Sequence, residues 1–178
     1  MKIQDLINGH LPHLFLDMDG VQADFFGAWA AHHNVPSYKD IADPEEAINR
    51  LAASGPEAVY TFFRKLDPLP GGMRVVHWLR QNQIAYTVLS APLRGEPHAA
   101  IRGKKDWLDQ HNPGTSQNAI FTSKKFAYAV THDQPNVLVD DFGKYLLSWK
   151  EAGGIAVKHD EHTADQTIAM LEKIYLGA

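Results

Sequence analysis

The sequence predicts an α/β fold: a doubly wound, Rossmann-like parallel sheet with helices on both faces and a small helical cap inserted after the first strand. Three observations lead there. From Met73 onward, helical periodicity alternates with short apolar runs, the pattern a parallel sheet leaves in sequence. Four such runs, Leu14 to Leu16, Ile84 to Leu89, Ala119 to Phe121 and Asn136 to Val139, each lead into polar residues. Residues 21–70 interrupt the alternation with helical signals alone. At 178 residues the chain has the size of one domain. The expected division is therefore a core of residues 1–20 and 71–178, with 21–70 as the cap.

After the first strand, Ala23 to Asn34 is rich in alanine and aromatic residues and reads as a helix stopped by Val35-Pro36. A second helix starts at Asp43-Pro44-Glu45-Glu46, with Asp43 as N-cap, proline at the first helical position and Glu46 spaced for a capping box. Gly55-Pro56 ends it, and Glu57 to Lys65 forms a further short helix before the breakers Pro68 to Gly72. Met73, Val76 and Leu79 then share one helical face, and the strand ending at Ser90 follows. Trp107-Leu108 belong to a helix ending near Asn112-Pro113-Gly114, ahead of the strands at Ala119 and Asn136. Tyr145 to Ala152 reads as helix, Gly154 to Val157 as strand, and the tail as a helix capped by Thr163 with Gln166, its stripe being Ile168, Leu171 and Tyr175.

Bulk properties narrow the functions. Hydrophobic content of 44% and charged content of 21% belong to a folded globular chain. A net charge of −4 supplies no general field for a polynucleotide backbone, although Arg94, Arg102, Lys104 and Lys105 form a local basic group. With no cysteine, disulfides, thiolate metal sites and cysteine nucleophiles are excluded. No apolar run approaches the ~20 residues that span a bilayer, and the expected address is cytoplasmic, with no membrane partner. The ten histidines show no metal-ligand spacing and receive no role.

The chemistry gathers at the strand ends. Asp17-Met18-Asp19-Gly20 closes the first strand, Ser90 the second, Lys124-Lys125 follow the third, and Asp140-Asp141 close the fourth. In an open parallel sheet, ligands bind at the carboxyl ends of the strands. Each group alone has an ordinary reading: turn acids before a glycine, a turn serine before Pro92, solvated surface lysines. The four in order do not. A phosphate ester needs its oxygens neutralised, a nucleophile held in line and its leaving group protonated. Asp17 suits the nucleophile and Asp19 the acid that later activates water. Converging carboxylates call for Mg²⁺, with Asp17, Asp140 and Asp141 as holders and Asp19 contributing its backbone carbonyl. Ser90 and Lys125 suit the phosphate oxygens.

The set Asp17-x-Asp19-Gly20-Val21, Ser90, Lys125 and Asp140-Asp141 resembles the haloacid dehalogenase (HAD) superfamily of phosphatases. Within it, the 5′(3′)-deoxyribonucleotidases look closest. Asp17 to Phe25 is similar to that family's opening, Phe62-Phe63-x-x-Leu66-x-Pro68-Leu69-Pro70-Gly71 to its return from the cap, Ser90 to Leu93 to its Thr-Ser-Pro segment, and Lys104-x-x-Trp107-Leu108-x-x-His111 to its Lys-x-x-Trp-Val-x-x-His stretch. The resemblance implies Asp17 as nucleophile, Asp19 as acid/base, Lys104 and Lys125 near the phosphate, Mg²⁺ as cofactor, and Phe25 and Phe63 among cap aromatics facing a base. Gln22 departs from a usual leucine, Ala91 from a phosphate-holding serine, and Lys124-Lys125-Phe126 from an Asp-Lys-Thr run.

The expected function is Mg²⁺-dependent hydrolysis of a small phosphomonoester, a (deoxy)ribonucleoside 5′-monophosphate, through an aspartyl-phosphate. A polynucleotide 3′-phosphatase and a small-metabolite phosphatase are rivals, and a phosphoacceptor signalling module is a rival of another class. Asp24 reads either as an acid behind the site or as an exposed helix start. The cap aromatics read as cap core or as a stacking surface, and a homo-oligomer is compatible with the sequence.

Overall fold

The computed structural model describes residues 11–177. Its strands are β1 (Leu14–Leu16), β2 (Tyr86–Ser90), β3 (Ile120–Phe121), β4 (Val130–Thr131), β5 (Gln134–Pro135), β6 (Val137–Asp140) and β7 (Ile155–Lys158). Five of them form one parallel sheet in the order β3-β2-β1-β6-β7, while β4 and β5 pair as a separate antiparallel hairpin. β1 is central: Leu14 pairs with Tyr86 on one side and Val137 on the other, Leu16 with Val88 and Val139. A strand covered on both faces gains nothing from alternation, which is why Leu14-Phe15-Leu16 is apolar throughout.

The helices are α1 (Phe25–His32), α2 (Pro44–Ala53), α3 (Pro56–Arg64), α4 (Pro70–Gln81), α5 (Pro97–His111), α6 (Gly143–Glu151) and α7 (Ala164–Tyr175). α4 and α7 cover one face, where Val75, Leu79, Leu171 and Ile174 pack on Leu14, Leu16, Val137 and Val139. Trp149 and Leu146 of α6 pack on Phe15, Leu89 and Leu138. Phe25, Trp29, Leu51, Val59 and Phe63 of α1 to α3 pack in one cluster with Met18, Val88 of β2 and Trp107 and Leu108 of α5. α3 lies against α5 because position 103 is glycine: a Cβ there would stand 2.5 Å from the Tyr60 carbonyl oxygen. The Tyr60 hydroxyl donates to Asp106 Oδ2 at 2.6 Å and the Trp107 indole N–H to the Leu66 carbonyl at 2.7 Å, so cap and core are joined by hydrogen bonds as well as packing.

Asp43 caps α2 as its sequence announces, its Oδ1 accepting from Glu46 N at 3.0 Å. The reciprocal half of the box is not made, because the Glu46 carboxylate turns to Arg50 four residues on. Asp24 is the N-cap of α1, accepting from Gly27 N at 2.8 Å. Two expectations are corrected. Thr163 does not cap α7 through its side chain; its hydroxyl is taken up by the backbone of Asp160 in the preceding turn. Pro70-Gly71-Gly72 is no break but the first turn of α4, where proline suits the first position and the glycines allow close approach of the Glu161 and Val21 carbonyls. Among the described residues no helix is long and apolar enough to cross a membrane.

Candidate active site

The acids stand where the sheet topology delivers them. β1 and β6 are neighbours, so their carboxyl ends open side by side, and Asp17 N donates to Val139 O at 2.9 Å, fixing the backbone where the chain leaves β1. Gly20 turns the chain back at φ +76°, a conformation that favours glycine, and a Cβ there would stand 2.5 Å from Asp141 Oδ2. The turn and the position of Asp141 therefore depend on one another. One oxygen from each of Asp17, Asp140 and Asp141 lies within 4.8 Å of the others.

Lys125 answers part of this charge. It rides on a short 3₁₀ turn, Lys125–Tyr128, following β3, and its side chain is 1% exposed. Nζ stands 2.8 Å from Asp17 Oδ1 and 2.7 Å from Asp140 Oδ2, with the Tyr145 ring 4.6 Å away. Asp140 Oδ1 accepts from Phe142 N at 2.8 Å. Burial works against a charge on Lys125, but Asp17 and Asp140 outweigh it and hold the ammonium firmly protonated. One cation does not balance three carboxylates. Burial, then repulsion from Asp17, pushes Asp140 up to about 7 despite Lys125, and burial with both neighbouring acids pushes Asp141 up to about 8. A cluster of hard carboxylate oxygens with unbalanced negative charge fits a divalent cation such as Mg²⁺.

Asp19 stands apart from this cluster. Its Oδ2 accepts from Lys104 Nζ at 2.6 Å, and that lysine, wholly buried on α5, also donates to Ser90 Oγ at 3.0 Å and to the Ala91 carbonyl at 2.6 Å. Burial raises the Asp19 pKa, and the pull of Lys104 only partly offsets it. Adjacent acids thus have separate partners, Lys125 for Asp17 and Lys104 for Asp19.

A cavity of about 450 Å³ opens above the acids. Asp17, Asp19, Lys125 and Asp141 line it together with the apolar Phe25, Phe26, Trp29, Ile48, Phe142 and Tyr145. Arg94, in the loop after β2, pairs with Glu45 of α2 at the rim, joining core to cap. Phe25 faces this space as expected of a base-pocket residue. Phe63 does not: it is 1% exposed and stacked behind Phe25 at 6.0 Å between ring centroids, because its side of α3 packs into the cap core. Ser90 and Lys104 are also absent from the lining, their polar atoms being turned on each other and on Asp19. The basic group suggested by sequence is largely neutralised, with Arg94 on Glu45, Arg102 on Glu57 and Lys104 on Asp19.

Sequence reasoning passed over Ser123, Phe142 and Tyr145 in the lining, and gave no place in the site to Arg94 or to the buried Gln22 that donates to the Asp17 carbonyl. Ser123 and Phe142 each sit beside a residue already singled out, so the signal was adjacency to an acid- or lysine-bearing strand end. Tyr145 carries no signal short of the fold, and Arg94 only that of a basic group.

Comparison with known proteins gives the family. A solved HAD family hydrolase from Deinococcus radiodurans R1, with bound phosphate and sodium, is similar over 93% of this chain and 97% of its own at 12% identity and TM-score 0.51, a likeness of fold. A HAD family enzyme from Bacteroides thetaiotaomicron, a magnesium complex, aligns over 85% of this chain and 94% of its own at 12% identity and TM-score 0.48. No curated protein matches the chain. The model of the family described as 5′ nucleotidase, deoxy (pyrimidine), cytosolic type C protein matches residues 11–169, which include every side chain of the site. The chain therefore belongs to this 5′-nucleotidase family, and its fold is like that of the HAD family hydrolase.

Proposed function

We propose that the protein is a Mg²⁺-dependent 5′-nucleotidase that hydrolyses (deoxy)ribonucleoside monophosphates through an aspartyl-phosphate on Asp17. The observation that carries this reading is the lining of one cavity, in which acids and a lysine matched to a phosphate stand together with aromatic side chains matched to a flat base. Asp17, Asp140 and Asp141 would hold the cation, which supplies charge neutralisation for the phosphate oxygens.

The chain's own groups account for the rest. A carboxylate oxygen of Asp17 attacks phosphorus as the bond to the ester oxygen breaks, and Asp19, whose pKa burial raises above the ordinary carboxylate value, gives its proton to the leaving alkoxide. Asp19, then ionised and held by Lys104, takes a proton from water whose oxygen attacks the phosphoryl group. The bond to Asp17 breaks and inorganic phosphate leaves. Lys125 orients Asp17 and offers positive charge beside the phosphate. The cap closes over small esters and keeps bulk water and long polymers out. A cytoplasmic address agrees with the substrate class.

The test is release of free phosphate from a panel of nucleoside 5′-monophosphates, sugar phosphates and 3′-phosphorylated oligonucleotides with Mg²⁺. Preferred turnover of mononucleotides is expected, and Asp17→Asn is expected to abolish it in a folded protein. Undiminished Mg²⁺-dependent turnover by Asp17→Asn refutes the mechanism; preference for the oligonucleotides refutes the substrate.

A further inference from the structure

Beneath the site runs a polar chain, with Gln22 and Asn112 fully buried, that the mechanism above does not use. Gln22, 0% exposed, donates from Nε2 to the Asp17 carbonyl at 2.8 Å. Its Oε1 accepts from Asn112 Nδ2 at 2.7 Å, and Asn112, also 0% exposed, accepts at Oδ1 from Arg80 at 2.6 Å and from the Tyr86 hydroxyl at 2.8 Å. Chemistry fixes the direction of this relay. A backbone carbonyl only accepts and a guanidinium only donates, so both amides between them have one permitted orientation. The relay joins α4, β2 and the end of α5 to the peptide group of Asp17. The Gln22 backbone adds a further tie, its carbonyl accepting from Leu69 N at 2.8 Å at the start of α4.

We propose that Gln22 and Asn112 are positioning residues for the nucleophile, an inference that rests on Asp17 being that nucleophile. Asp17 N is held by Val139 O at 2.9 Å and the Asp17 carbonyl by Gln22. Both peptide planes flanking the Asp17 Cα are therefore fixed, and the carboxylate, steered by Lys125, keeps only its side-chain torsions. Without Gln22 the second plane is free to rotate where β1 ends and the turn begins. In-line attack is sensitive to this, because a displacement of ~1 Å can lower a rate ~10²-fold. Gln22 brings a side-chain donor to the Asp17 carbonyl from within the turn that follows β1.

The experiment measures kcat and KM for phosphate release from a mononucleotide that the wild-type protein hydrolyses, together with thermal unfolding, for Gln22→Met, Gln22→Glu and Asn112→Asp. Gln22→Met keeps the volume and loses both bonds; kcat is expected to fall ~10- to 100-fold with KM within about threefold. Asn112→Asp keeps acceptors for Arg80 and Tyr86 and sets an oxygen where the donor to Gln22 Oε1 stood, so in the folded protein kcat is expected to fall with KM unmoved. Gln22→Glu donates to the Asp17 carbonyl only when protonated, so its kcat relative to wild type is expected to rise as the pH is lowered. A purely structural role predicts lower melting temperatures with wild-type kcat in the folded protein and a flat pH ratio. That result in Gln22→Met, or in Asn112→Asp where the former does not fold, overturns the inference. A wild-type protein inert on every phosphomonoester overturns instead the function on which it rests.

Discussion

Raising the pH from 6 to 9 is expected to strengthen Mg²⁺ binding by about three orders of magnitude, a magnitude that follows from two side chains. In the metal-free protein Asp140 sits at about 7 and Asp141 at about 8, both raised first by burial and then by neighbouring negative charge. A carboxylate that binds metal must give up its proton, so binding below these values carries the cost of deprotonation, about 1.4 kcal/mol per proton per pH unit. Two protons leave below pH 7, one between 7 and 8, and none above, giving slopes of log affinity against pH near 2, 1 and 0. Between pH 6 and 9 the apparent association constant should therefore rise roughly 10³-fold. Calorimetric titration of the metal-free protein with Mg²⁺, in two buffers of different ionisation enthalpy, counts the protons directly. Affinity independent of pH, with no proton release at pH 6, refutes the reasoning: the acids would then be ionised before the metal arrives and the cluster would be balanced in some other way.

Other outcomes follow from the same geometry. The stability of the metal-free protein should fall as pH rises: folded-state values for Asp140 and Asp141 above the ordinary 3.8 mean that their contribution is fully present below about 4 and is lost through about 7 and 8, a trend visible in melting temperatures from pH 5 to 8.5 and reversed by Mg²⁺. Lys125→Met removes the cation between Asp17 and Asp140 and should cost ~3–5 kcal/mol in denaturant titrations near neutral pH, with partial recovery in acid. Gly20→Ala forces a side chain into positive φ and against Asp141; ~1–2 kcal/mol of backbone strain and a weakened Mg²⁺ affinity are expected from the same titrations. Arg94→Ala breaks an exposed pair and should change stability by less than ~1 kcal/mol, while KM rises several-fold with kcat nearly unchanged, because the pair ties the cap to the core at the rim of the cavity.

The core acids were legible because their signal is local: an apolar run, then charge, then glycine is visible in a window of eight residues around Asp17, and parallel topology brings such ends together without further information. Asp43 as a cap was legible for the same reason. What lay outside reach depended on side-chain direction. Phe63 and Phe25 are both aromatic residues of the cap, yet one lines the cavity and the other backs it, a difference set by which face of α3 meets α5. Lys104 is placed near the phosphate by resemblance alone, and only the fold shows its ammonium buried against Asp19. Thr163 was misread because a hydroxyl near a helix start has competing backbone partners, and the turn at Asp160 won. Gln22 is polar within an otherwise apolar and acidic stretch, and nothing nearby in sequence names Asn112 as its partner ninety positions away.

The two buried lysines give the neighbouring aspartates of one turn different cationic partners. Asp17 and Asp19 are separated by a single buried residue, Met18, whose side chain points into the cap core, so their carboxylates leave the turn in different surroundings. Lys125 reaches Asp17 from the β3 side and is shared with Asp140; Lys104 reaches Asp19 from α5 and is shared with Ser90 and the Ala91 carbonyl. Exchanging which acid meets which lysine is impossible without moving β3 against α5, so the asymmetry is a property of the sheet order rather than of the turn. Division of labour between nucleophile and proton donor then needs no special residue type, only two identical carboxyl groups whose environments pull apart. On this account Lys104→Met should raise the pH at which the acid form of Asp19 is lost, moving the alkaline limb of the kcat profile upward, because the offset to its burial disappears. An unshifted limb in an active Lys104→Met protein would mean that the proton donor is a different group.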